Sequence, residues 1–273
     1  MSEKKSYGLP KEDYYNIDEL RARGEQRKAK RLAKQKKARR RFIGVISTIV
    51  IIVGLFAFSL SSFFTVDSLE VRGNSHFTTE EIINISHASP GKNLIYNPNK
   101  TEITKYLENN PYIKKAKVTR GFPSTLIITV EERKQLCAIK YDDDYLIIDK
   151  DGILLKKTPQ KPKLTLVKGI IVKKIELGET IEVKDETILK QTLTVLDKMI
   201  KGDLYFVKLE MSDQIIKAYI YDSLIVKATF KQLTEALEKN RLHAILERLF
   251  DERIKRGTIT FTDDGFASYE PQL

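Results

Sequence analysis

The 273-residue chain contains one cysteine, Cys137, and three histidines, His76, His87 and His243. A single thiol excludes an internal disulfide framework and any zinc site built on several cysteines, and histidines this scattered exclude a His-rich metal centre. Neither Ser-Asp-Asn nor Lys-Thr-Gly occurs, and Gly91-Lys92 lacks the upstream glycine of a phosphate-binding loop. Acid is nearly absent from residues 21–41, where Glu25 alone faces twelve Lys and Arg, and charge of either sign is absent from 42–66. Residues 21–41 net +11, whereas 1–20 net −2 and 42–273 net +2. A nucleic-acid reading drawn from the overall pI of about 9.4 therefore fails for the folded part. The basic run also lacks stacking groups, with no aromatic between Tyr15 and Phe42.

Counted from Phe42 to Phe64, the uncharged stretch has 23 residues. At about 1.5 Å rise per residue it spans roughly 34 Å, enough to cross a hydrocarbon core of about 30 Å with modest tilt. A secretory signal would have an apolar region of about 7–15 residues behind a short basic segment. Here 41 residues precede it, so 42–64 reads as an uncleaved transmembrane helix. The 20 residues before Phe42 carry eleven Lys or Arg, and the 20 after Phe64 carry one, Arg72. That asymmetry predicts a cytoplasmic N-terminus and an external C-terminal part. Within the basic tail, 1–41, the residues nearest the span (Lys36, Lys37, Arg39, Arg40 and Arg41) are expected to meet anionic headgroups. Residues 1–20 read as disordered.

The remainder reads as α+β. Over 65–133 the order is β-α-α-β-β. A strand over 66–72, with Leu69 and Val71 inward, ends in the Gly73-Asn74 turn. Thr78 and Glu81 form a capping box before Ile82, Ile83 and Ile85, and Asn99 caps a second helix with Glu102 at its third position. Strands over 116–120 and 125–131 flank Gly121-Phe122-Pro123. Over 134–273 the pattern turns to a mixed, mainly antiparallel β domain. Its strands fall at 137–141, 145–149 and 153–155, then in a meander at 206–211, 215–220 and 224–228. A helix is predicted near 186–199 and a helical segment over 230–254, whose apolar spacing slips between Leu237 and Leu242. Strands at 258–262 and 266–269, about a turn at Asp263-Asp264-Gly265, close the chain.

These residues resemble a family. After the basic tail and single span come Val66-Asp67-Ser68-Leu69-Glu70-Val71-Arg72-Gly73-Asn74, Gly91-Lys92-Asn93-Leu94 and Asn110-Pro111-Tyr112-Ile113. Phe122-Pro123-Ser124-Thr125-Leu126, Val130-Glu131-Glu132-Arg133 and Leu146-Ile147-Ile148-Asp149-Lys150-Asp151-Gly152 follow. The run is similar to the POTRA and β domains of the FtsQ/DivIB cell-division proteins. The resemblance implies a non-enzymatic bitopic scaffold at the division septum, without cofactor or metal, that stabilises or promotes divisome assembly and septal wall synthesis by binding FtsL and DivIC, or FtsB. Gly73, Asn74, Phe122 and Pro123 then serve the POTRA fold as turn and strand-start residues.

A chain that ends in a strand can leave a row of backbone groups open to another strand. The partner surface is therefore expected at Thr258, Ile259, Thr260, Phe261 and Thr262. Ile259 and Phe261 would face the core, the backbone edge would stay available, and Phe266 and Tyr269 would offer apolar anchors. The resemblance points to the same region for FtsB or DivIC. The rival class is a membrane-anchored cell-wall enzyme. Ser89-Pro90-Gly91-Lys92 matches the Ser-x-x-Lys of penicillin-binding proteins, but that motif needs both side chains on one helix face, which Pro90-Gly91 prevents. Asp142-Asp143-Asp144 reads as a solvated turn rather than a cation site, and Cys137 as a small core residue.

Overall fold

The computed structural model describes residues 17–96, 98–262 and 266–272, with side chains from Arg21 onward. Residues 1–16 and the turn at 263–265 lie outside this set. Residues up to Phe64 form one unit and 65–273 a second.

The first unit is a single helix, α1 (Ile17–Ser59), in which the basic run and the apolar stretch are continuous. Residues 17–20, read as disordered, are helical. The regular helix stops at Ser59, short of the expected Phe64, and a 3-10 turn covers Ser62–Phe64. From Phe42 the helical apolar part is still about 27 Å long, and α1 is long and apolar enough to cross a membrane. Two of its hydroxyls bond their own helix, as hydrocarbon requires: Thr48 Oγ1 donates to the Gly44 carbonyl at 2.9 Å and Ser59 Oγ to that of Phe56 at 2.6 Å.

The second unit opens with β1 (Ser68–Arg72), α2 (Thr79–Ser86), α3 (Lys100–Glu108), β2 (Ile113–Gly121) and β3 (Thr125–Glu132). The sheet order is β1-β3-β2, with β1 parallel and β2 antiparallel to β3. Ile82, Leu94, Ile103, Leu107 and Ile128 make its core. The Thr78–Glu81 capping box forms with both reciprocal bonds. Asn99 does not cap as expected. It stands at φ 45° and donates its amide to Glu102 Oε2 instead of accepting a backbone N–H. On α3, Ile103 and Leu107 are buried whereas Tyr106 is exposed.

A nine-stranded sheet follows, built from β4 (Cys137–Tyr141), β5 (Asp144–Ile148), β6 (Leu154–Thr158), β7 (Thr165–Lys168), β10 (Lys208–Glu210), β11 (Ile216–Tyr221), β12 (Leu224–Ala228), β13 (Gly257–Phe261) and β14 (Ala267–Glu270). A small ribbon, β8 (Val172–Lys174) with β9 (Glu182–Val183), lies between. The order is β14-β13-β12-β11-β10-β7-β4-β5-β6. Parallel pairs occur at β12–β13, β10–β7 and β7–β4, and the rest are antiparallel. One face packs on α4 (Glu186–Lys201), α5 (Phe230–Glu238) and α6 (Arg241–Asp251) through Leu196, Leu233, Leu246, Val226 and Ile259. The spacing slip after Leu237 marks the break between α5 and α6, at Asn240 in the left-handed region.

Candidate functional site

The expected partner strand, Thr258–Thr262, is not an edge. β13 pairs with β12 on one side and β14 on the other, and the chain turns back so that β14 ends the sheet. The inward side chains are as read: Ile259 and Phe261 are buried among the helices, while Thr258 and Thr260 are half-buried on the opposite face. The outer edge therefore belongs to Ala267, Ser268, Tyr269 and Glu270.

The register decides which backbone groups stay open. β13 and β14 pair Thr258 with Glu270, Ile259 with Tyr269, Thr260 with Ser268 and Phe261 with Ala267. Just beyond, the Thr262 N–H donates to the Phe266 carbonyl at 2.9 Å. Antiparallel pairs alternate between bonded and non-bonded. Phe266, Ser268 and Glu270 therefore direct their N–H and C=O groups toward β13, and Ala267 and Tyr269 direct theirs outward.

The side chains along this edge differ in availability. Phe266 is 76% exposed. The Tyr269 ring instead lies across Gly257, where a Cβ would stand 2.5 Å from Cε2, and its hydroxyl donates to the Arg256 carbonyl at 2.6 Å. It braces the edge more than it offers an anchor. Small Ala267 opposite Phe261 leaves room on the helix side, where Lys231, Glu235 and Arg241 line a cleft of about 240 Å³ with Phe261 and Thr262. At the far edge of the sheet, β6 exposes Lys156 and Lys157, and Leu154 exchanges hydrogen bonds with Gly178 and Glu179. Lysines and a covering segment blunt that edge. Among the described residues, β14 has neither device.

A second cluster was not read from the sequence. Arg133, at the end of β3, donates Nη1 to Asp149 Oδ2 at 2.8 Å, and Asp149 is buried. Asp149 Oδ1 accepts the N–H groups of Asp151 and Ile153, both at 2.9 Å. Lys114 meets Asp151 at 3.1 Å, and Gln135 donates to the Tyr112 hydroxyl at 2.9 Å. These contacts clasp the three-stranded unit to the nine-stranded one. The signal was available: an acid in Asp149-Lys150-Asp151-Gly152 that holds a turn has a second oxygen left for a cation.

The remaining predicted residues fall as follows. Gly73 has φ +84°, and a Cβ there would lie 2.2 Å from the Val130 carbonyl oxygen, so only glycine fits. Asn74 Nδ2 donates to the Phe77 carbonyl at 2.9 Å. Phe122 and Pro123 form the β2–β3 turn, with the Phe122 ring exposed. Lys36, Lys37, Arg39, Arg40 and Arg41 are exposed on α1. Cys137 is fully buried, and burial pushes its thiol far up, so it does not ionise at neutral pH. Ser89 and Lys92 flank a turn with Gly91 at φ +93°, not a helix. Among the described residues, no three His, Cys, Asp or Glu converge as a metal site.

Residues 64–133 match the POTRA domain, FtsQ-type. The chain is 29% identical over 240 residues to the cell division protein DivIB of Clostridium botulinum (strain Hall), covering 85% of this chain and 92% of that protein. It is 26% identical over 235 residues to DivIB of Bacillus subtilis (strain 168), covering 85% and 83%. It is also 26% identical over 159 residues to the cell division protein FtsQ of Syntrophotalea carbinolica, covering 58% and 54%. An apolar N-terminal helix, a matched FtsQ-type POTRA domain and similarity along most of the chain to proteins named DivIB and FtsQ support the resemblance to the FtsQ/DivIB cell-division proteins.

Proposed function

We propose that the protein is a non-enzymatic, bitopic scaffold of the division machinery that promotes septal wall synthesis by holding small membrane partners of the FtsL and DivIC, or FtsB, type. Residues 1–41 form the cytoplasmic tail, with Lys36 to Arg41 at anionic headgroups, 65–133 the POTRA domain and 134–273 the β domain, both outside the membrane. The observation that carries the reading is the open β14 edge, whose outward groups at Ala267 and Tyr269 suit strand addition by a partner. Phe266 adds an exposed apolar contact. The rival reading, a membrane-anchored wall enzyme, lacks the helical Ser-x-x-Lys geometry that suggested it.

The test is crosslinked capture from growing cells. Ala267→Pro removes one outward N–H and leaves pairing to β13 in place, because proline is tolerated on edge strands. Loss of a main-chain hydrogen bond worth about 1–1.5 kcal/mol should weaken partner capture about tenfold. Its thermal transition should be unchanged. Undiminished capture would remove the edge-pairing reading, and turnover of wall fragments by the purified protein would replace the scaffold with an enzyme.

A further inference from the structure

The chain passes from its apolar segment into the folded domain almost without a linker. Phe58, Phe63 and Phe64 cluster at the end of that segment, with ring centroids 5.1 to 5.7 Å apart. Thr65 is bridged to Asn93, the Val66 N–H donates to the Lys92 carbonyl at 2.9 Å, and the Asp67 N–H donates to that of Ser124 at 2.8 Å. Three extended residues reach about 11 Å at most. At most that length of chain separates Phe64 from Asp67, the last of the three residues that these loops hold. The polar layer on each side of the hydrocarbon core is roughly 5–7 Å thick.

Those loops carry Phe122, 65% exposed, and Tyr96, 51% exposed, with Pro123 and Lys92 also at the surface. They are held in shape without a ligand. Arg120 donates Nε to the Leu94 carbonyl at 2.7 Å and Nη2 to that of Ile95 at 2.8 Å, which ties the Tyr96 loop to the strand leading to Phe122. Asn93 Oδ1 accepts the N–H groups of Ile95 and Tyr96 at 2.9 and 3.1 Å. Large aromatic side chains on preformed loops would be costly facing water and are favoured at a membrane interface.

We propose that this rim is a membrane-seating surface of the POTRA domain. Phe122 and Tyr96 dip to the headgroup–acyl boundary, and Lys92 meets lipid phosphate. The occupant is the bilayer, because the uncharged apolar stretch that runs to Phe64 leads directly into Thr65 to Asp67, which these loops hold. The rim would fix how the domain stands on the membrane. This inference rests on membrane anchoring and not on the partner reading.

The chain contains no tryptophan, so a single introduced indole reports alone. The full chain is reconstituted in vesicles of phosphatidylcholine and phosphatidylglycerol, with and without brominated acyl chains. Phe122→Trp and, in a second protein, Tyr96→Trp are expected to emit to the blue and to lose more than half their emission in brominated vesicles. Phe266→Trp, at the exposed β14 edge, is expected to emit as indole in water and to be unquenched. Water-like, unquenched emission from both rim variants overturns the proposal. A blue shift equal in plain and brominated vesicles also overturns it, since the indole would then be packed against protein.

Discussion

Replacing Arg133 by methionine tests how the two folded units are held together. The substitution keeps an apolar stem of similar reach and deletes the guanidinium. Asp149, with its side chain 3% exposed, then keeps two backbone N–H donors on Oδ1 and loses the cation at Oδ2. Breaking a buried ion pair by removing one partner costs about 3–5 kcal/mol. The two retained donors place Arg133→Met at the low end, about 3 kcal/mol. Asp149→Asn should cost less, about 1–2 kcal/mol. Its side-chain carbonyl can still take the turn N–H groups, and Arg133 still has Asp151 at 3.5 Å. The assay is urea unfolding of residues 65–273 with limited proteolysis across 133–136, where the clasp is expected to limit cleavage. A loss below about 1 kcal/mol for Arg133→Met, or an asparagine variant less stable than the methionine one, would refute the reasoning.

Glu132 supplies a pH dependence. Burial by itself raises its carboxyl, but N–H donation from His76, Ser75 and Phe77 and the Ser75 hydroxyl outweigh it, so its pKa lies below the ordinary glutamate value. A folded pKa that is lowered gives stability that is complete above the unfolded value, about 4.3, and is lost as pH falls through the folded one. Glu132→Gln should therefore lose about 1–2 kcal/mol at neutral pH and converge on the parent in acid; a constant difference across that range would contradict this. For orientation, protease added to wall-stripped cells should degrade 65–273 and spare 1–41, and protection of the C-terminal part would reverse the topology.

Much of the POTRA unit was legible because its signals are local. Thr78 and Glu81 announce a helix start within four residues, Gly73-Asn74 marks a turn, and apolar spacing separates helix from strand. Asn99 misled because its side chain had a nearer partner in Glu102 than the backbone. β7 was missed because four residues within a Lys- and Pro-rich stretch carry little periodicity. Its place is fixed only by parallel pairing with β4 and β10, which come from distant parts of the chain. Buried Thr165 closes that junction by donating to the Phe206 carbonyl at 2.7 Å. The edge was placed one strand too early because Thr258 to Phe261 alternates clearly whereas Ala-Ser-Tyr-Glu does not, and an exposed strand with one inward face needs no such alternation. The Arg133–Asp149 clasp joins two motifs that the sequence showed separately.

Amide hydrogen exchange along β14, with and without a purified partner of the DivIC or FtsB type, tests the central claim most directly. In the free protein the inward N–H groups of Ser268 and Glu270, bonded to β13, should exchange slowly, and the outward ones of Ala267 and Tyr269 quickly. On complex formation Ala267 and Tyr269 should become protected, with Ser268 and Glu270 little changed. A complex of defined stoichiometry in which Ala267 and Tyr269 keep their fast exchange would contradict partner recognition by strand addition at this edge.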